Sequence, residues 1–99
     1  MLFVTEESQL ELNNNICVVY FYSNWMPFHK KMLSILNKME DNYKDIKHLS
    51  VDVDQFKTII KRFNIESIPT VLFFKNGKEV KRIVGIVLTS AMRSTYADI

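Results

Sequence analysis

Apolar residues fall along this chain in short blocks whose period changes from one block to the next. Leu2-Phe3-Val4 reads as a short strand. Thr5, or alternatively Ser8, can cap a short helix after it, with Leu10 and Leu12 near its end. Asn13-Asn14-Asn15 is a polar break and predicts a loop. Ile16-Cys17-Val18-Val19-Tyr20-Phe21-Tyr22 then runs without a polar residue. A continuous run, where alternation would mark a half-exposed strand, predicts a central strand buried on both faces. Ser23 and Asn24 are turn and cap residues, and Pro27 suits the first turn of a helix. Met32, Leu36, Met39 and Tyr43 recur at helical spacing, and Leu33 and Ile35 widen the stripe. Another strand lies within residues 46–53, with Leu49, Val51 and Val53 on one face. Phe56, Ile59, Ile60 and Phe63 mark a second helix, which Asn64 can end in a left-handed conformation. Thr70-Val71-Leu72-Phe73-Phe74 is a strand, Asn76-Gly77 a hairpin turn, and residues 79–84 the returning strand. Gly85 breaks the pattern, and Leu88, Ala91, Met92, Thr95 and Tyr96 outline a final helix. The order β-α-β-α-β-α-β-β-α predicts one α/β domain over residues 1–99. Its central sheet is mixed and flanked by helices on both faces.

Composition narrows the function classes. The chain has 99 residues, 47% hydrophobic and 12% aromatic, too apolar for a disordered segment. No apolar run reaches the ~18 residues of a membrane span. The first residues carry neither a basic region nor a long apolar stretch, so no secretory signal is expected. The net charge is +2, with basic residues interleaved among acids, so no nucleic-acid stripe is expected. A single cysteine, Cys17, excludes an intramolecular disulfide and a multi-cysteine metal or cluster site within one chain. No cofactor is expected, and a reducing, cytoplasmic setting fits the cysteine usage.

Four segments resemble the thioredoxin family: Val18-Val19-Tyr20-Phe21-Tyr22-Ser23-Asn24-Trp25, Val51-Asp52-Val53-Asp54, the stretch from Ile68-Pro69-Thr70 to Asn76-Gly77, and Gly85. With the element order, the resemblance covers nearly the whole chain and implies a thioredoxin fold. The family's W-C-G-P-C-K motif falls on Trp25-Met26-Pro27-Phe28-His29-Lys30. Met26 stands at the first cysteine position and His29 at the second. Dithiol exchange needs a thiolate to attack and a second thiol to resolve. A thioether cannot ionise, and an imidazole cannot form a disulfide. The buried Asp typical of the family falls on Tyr20. The thioredoxin-like domains of multidomain monothiol glutaredoxins are similar in having Pro directly after the first-cysteine position, as Pro27 is here. Their C-G-F-S motif is absent from this sequence.

Each candidate residue has a functional and a plain reading. Cys17 is either a reactive monothiol or a small hydrophobe of the central strand, and we expect the second. His29 is a base, a metal ligand or a simple surface or cap residue, and we expect the last. It has no evident partner, since His48 starts a later strand. Asp52 and Asp54 sit at a strand end, and Asp54 is expected to cap the helix beginning near Gln55. Lys30-Lys31 and Lys61-Arg62 read as solvated helix faces. The resemblance implies a cis bond before Pro69. It also implies that the backbone of Ile68 pairs with an extended client segment, a form of strand addition. Trp25, Met26, Phe28 and Ile68 are then expected to form an exposed apolar patch beside Pro69. The expected function is a redox-inactive thioredoxin-like domain that binds a polypeptide partner, such as a glutaredoxin or another redox protein. The alternatives are residual monothiol oxidoreductase activity, or the thioredoxin-like arm of a monothiol glutaredoxin in iron–sulfur handling.

Overall fold

The computed structural model describes residues 1–13 and 15–99. The strands are β1 (Leu2–Phe3), β2 (Ile16–Tyr22), β3 (Lys47–Asp52), β4 (Thr70–Lys75) and β5 (Lys78–Val84). The helices are α1 (His29–Asn42), α2 (Lys57–Arg62) and α3 (Thr89–Asp98). The sheet order is β1-β3-β2-β4-β5. β1, β3 and β2 run parallel, whereas β4 and β5 each pair antiparallel with their neighbour. The fold is the mixed, doubly covered sheet that the sequence predicts.

β2 lies at the centre and is buried on both faces, because its unbroken apolar run supplies side chains to each. Val18, Tyr20 and Tyr22 point to one face, where they meet Met32, Ile35, Leu36 and Met39 of α1 and Met92 and Tyr96 of α3. Cys17, Val19 and Phe21 point to the other, with Leu49, Leu72, Ile59 of α2, Val4, Leu10 and Leu12. In register, Val19 sits between Leu49 of β3 and Leu72 of β4. A slip of one residue would exchange the two faces.

Positive φ angles mark where the chain turns. Asn76 (φ 52°) and Gly77 (φ 82°) form the β4–β5 hairpin, as that residue pair predicts. Asn64 (φ 55°) ends α2 in the left-handed region, also as expected.

Several local expectations are corrected. The segment after β1 is one 3₁₀ turn, Glu7–Gln9, and it starts at Glu6 rather than at Thr5 or Ser8. Gln9 Oε1 accepts from the Thr5 and Glu6 amides, so the local polar side chain closes a turn too short for a helix. Leu10 and Leu12 lie beyond that turn, in the core. In the expected Asn loop, Asn14 lies outside the described residues. Pro27 precedes α1 instead of entering its first turn. Phe28 takes the N-cap position with φ 66°, and no side chain caps the helix.

Candidate functional site

The loop between β2 and α1 is held at the carboxyl ends of β2 and β3 by Asp52, the last residue of β3, and by Asp54 two residues beyond it. Asp54 Oδ2 accepts from Ser23 Oγ (2.6 Å) and from the Trp25 indole N–H (3.0 Å). Asp52 accepts from Asn24 Nδ2 (3.2 Å) and from the Asp54 amide (2.9 Å). Asp54 therefore does not cap α2, whose N-cap is Phe56. The donors of the Ser23–Trp25 loop claim its carboxylate instead.

The loop divides the expected patch. Trp25 stays 72% exposed and Phe28 60% exposed. Met26, expected at the surface, is only 6% exposed and packs with Tyr20, Tyr22 and Val71. The turn that carries the Met26 amide back to the Ser23 carbonyl (3.2 Å) accompanies that burial. Pro69 is buried as well, and the Ile68-Pro69 bond is cis. Ile68 is half-buried and belongs with Trp25 to the lining of an apolar groove of about 270 Å3, completed by Val53, Ile60, Ile65, Glu66 and Ser67. Phe28 lies outside that lining. Among the described residues, neither the N–H nor the carbonyl of Ile68 makes a hydrogen bond. Both neighbours of Ile68 are engaged: Thr70 Oγ1 donates to the Ser67 carbonyl (2.7 Å), and the Gly85 amide to the Pro69 carbonyl (2.8 Å).

That last bond sets the segment after β5 beside the cis-proline. Ile86 (47% exposed) and Leu88 (73% exposed) follow it. Sequence reasoning missed both as surface residues, because it placed Leu88 inside the final helix. Val53, Ile60 and Ile65 as groove walls were also missed. They come from three separate segments and share no period.

At the position of the second cysteine, His29 has a partner after all. Its Nδ1 lies 3.0 Å from the Tyr20 hydroxyl. Its ring stacks on Tyr22 at 4.4 Å between centroids, and Tyr22 stacks on Tyr20 at 5.3 Å. Tyr20 and Tyr22 share a face of β2, and His29 opens the helix packed on that face. Burial, and secondarily the Tyr22 ring beside it, push the Tyr20 phenol far above its usual range, so it stays protonated. Burial also lowers the His29 pKa, against an opposing pull from Asp52. The residue expected as a plain surface or cap histidine is thus a half-buried ring held by two tyrosines.

Cys17 is wholly buried on the face of β2 opposite this stack. Among the described residues, no group of three His, Cys, Asp or Glu side chains is placed to hold a metal ion. Among the described residues, no helix is long and apolar enough to cross a membrane.

Comparison with known proteins agrees with the fold. Residues 3–98 match the family model described as Thioredoxin. A thioredoxin of Mycoplasmoides gallisepticum is 38% identical over 82 residues, covering 83% of this chain and 82% of that protein. Thioredoxin-2 of Saccharomyces cerevisiae is 32% identical over 79 residues, covering 80% of this chain and 76% of that one. Among solved structures, thioredoxin NaTrxh of Nicotiana alata superposes with a TM-score of 0.87 at 28% identity, over 98% of this chain and 90% of that one.

Proposed function

The chain belongs to the thioredoxin family, and on that premise we propose that it is a redox-inactive member that binds an extended polypeptide between Trp25 and Ile68. A redox-related function holds at the level of the family. The finer reading rests on one observation above the others: the Ile68 N–H and carbonyl are open beside an apolar groove walled by an exposed tryptophan. An unpaired backbone donor and acceptor are what strand addition uses. Burial of Trp25 in such an interface fits the enrichment of tryptophan at binding hot spots.

The positions that would carry thiol exchange support the same reading. Met26 offers a buried thioether, and His29 an imidazole already engaged by Tyr20. Neither forms a thiolate. The sulfhydryl of Cys17 lies inside the sheet, out of reach of a protein disulfide.

Two measurements test this. Insulin reduction with dithiothreitol as electron donor is expected to run at the background rate for the wild type and for Cys17→Ser alike. Activity lost in Cys17→Ser would overturn the redox-inactive part. Peptides selected from a random display library are expected to shift the Trp25 indole and Ile68 amide resonances and to slow exchange of the Ile68 amide. Peptides that leave both resonances unmoved would overturn the binding part.

A further inference from the structure

We propose that the segment bound in this groove carries a branched aliphatic side chain with a lysine or arginine two residues away from it. This inference rests on the proposed polypeptide-binding reading and adds the chemistry of the occupant.

The aliphatic preference follows from the walls. Val53, Ile60, Ile65 and Ile68 supply branched apolar surface, and Trp25 closes one side. A volume of about 270 Å3 holds one such side chain, with its backbone along the rim.

The basic preference follows from charge. Glu66 is the one charged residue in the lining, and it makes no hydrogen bond or ion pair among the described residues. Arg82, the cation that feels its field, is already spent. It donates to both carboxylate oxygens of Glu79 (2.9 and 2.8 Å) and to the carbonyls of Asn64 (3.0 Å) and Phe63 (2.8 Å). On the other side, Asp54 holds the Trp25 indole and follows the groove residue Val53. Its partners there, Ser23 and Trp25, are neutral donors, so its charge is not cancelled by a cation in contact. Lys57 and Lys61 of α2 lie outside the lining. The groove is therefore mostly apolar, with the carboxylate of Glu66 in its lining and that of Asp54 against Trp25, on a chain whose net charge is +2. A preference for a basic segment would arise from this site against the charge of the whole.

Register sets the spacing. In an extended segment paired at Ile68, alternate side chains face the same side. A residue two positions from the aliphatic one therefore faces the side of the segment on which the groove and its carboxylate Glu66 lie.

The test uses three labelled peptides, each a short Ser/Thr-rich segment with a central isoleucine. They differ only two positions to either side of it, where they carry arginine, glutamine or glutamate. Fluorescence anisotropy against the full chain at low salt is expected to rank arginine tightest and glutamate weakest. The outer two should differ at least several-fold, and the gap should shrink as salt is raised. Glu66→Gln is expected to narrow the preference for the arginine peptide over the glutamine peptide about threefold, the scale of one exposed ion pair. Equal binding of all three, sensitive to Trp25→Ala, would overturn this inference and leave polypeptide binding standing. An arginine preference undiminished in Glu66→Gln would also overturn it. Binding of none of the three, with display-selected peptides failing as well, would overturn the proposed function itself.

Discussion

The chain contains two histidines, and each is paired with a tyrosine, in two different settings. His48, on β3, is buried and uses both ring nitrogens. Its Nδ1 lies 3.0 Å from the Ile46 carbonyl and its Nε2 lies 2.8 Å from the Tyr96 hydroxyl, so it ties β3 to α3. His29, at the start of α1, is half-buried and engages only Nδ1, with Tyr20. Both rings stack on tyrosines at interplanar angles of 10°. The pairing chemistry is the same, but the consequences differ. Around His48 every polar atom is satisfied inside the core, which is how a buried polar pair specifies one arrangement. Around His29 only Nδ1 is engaged among the described residues, at the position where the family carries its second cysteine. The first pair holds the scaffold, and the second occupies two positions at which the family carries a buried acid and a cysteine.

The largest effect that would break this contrast is loss of the Tyr96 hydroxyl. Tyr96→Phe leaves His48 Nε2 buried without its donor, at a cost of about 2 kcal/mol. For a domain of this size, that is a fall in Tm of about 8–15 °C, read by thermal denaturation. A fall within error of the wild type would mean that the pair contributes nothing and that the ring packing alone holds α3.

Acid should sharpen the contrast next. Burial depresses the folded-state pKa of His48 below its ordinary 6.5, although the Ile46 hydrogen bond and Glu40 pull upward. Between the depressed value and 6.5 the unfolded chain binds the extra proton, so stability is full above that window and falls as pH drops through it. Each unit of depression corresponds to about 1.4 kcal/mol. The His29 shift has the same sign and arises from less burial, with Asp52 opposing it. Urea unfolding across this window is expected to lose most of its slope in His48→Gln and little in His29→Gln. The reverse ranking would place the more strongly desolvated ring at the active-site end.

Much of this architecture is legible in the chain before any coordinates. The unbroken run from Ile16 to Tyr22 predicts a strand covered twice, because only such a strand can hide every side chain. Asn76-Gly77 and Asn64 predict their turns through the one backbone region that those residues tolerate cheaply. The site is less legible, because its contacts obey no period. Asp54 carries the signature of a helix cap, but a tertiary partner, the Trp25 indole, takes its carboxylate. Met26 and Trp25 are neighbours of similar apolarity, and the turn that aims one inward and the other outward is not written in either residue. His29 and Tyr20 are nine positions apart, across a strand, a loop and a helix start. Only the resemblance, which places both on positions of the family's active site, brings them together.

A smaller effect is expected at that second pair. Tyr20→Phe leaves His29 Nδ1 near enough to solvent to regain a partner, so the loss should be ~0.5–1 kcal/mol. Chemical denaturation measures it against Tyr96→Phe. Equal losses would mean that the two pairs are equally structural, and the contrast between them would disappear.

The last test costs no stability and is the most discriminating. A carbonyl can only accept, so His48 must carry its hydrogen on Nδ1 when neutral, and Nε2 then accepts from Tyr96. Tyr20, held protonated by burial, is expected to donate to His29 Nδ1, which would leave the hydrogen on Nε2. The two imidazoles are therefore expected in opposite tautomers, read from their ring nitrogen shifts by NMR above the titration window. The outcome decides what the open nitrogen of His29 presents. With the hydrogen there, it is a donor, suited to a carbonyl of a bound segment and unable to coordinate a metal ion. If both rings carried the hydrogen on Nδ1, Tyr20 would be accepting, and Nε2 would offer a lone pair oriented from behind, as metal-binding histidines are. His29 would then have to be read as a potential metal ligand rather than as a donor to a bound segment.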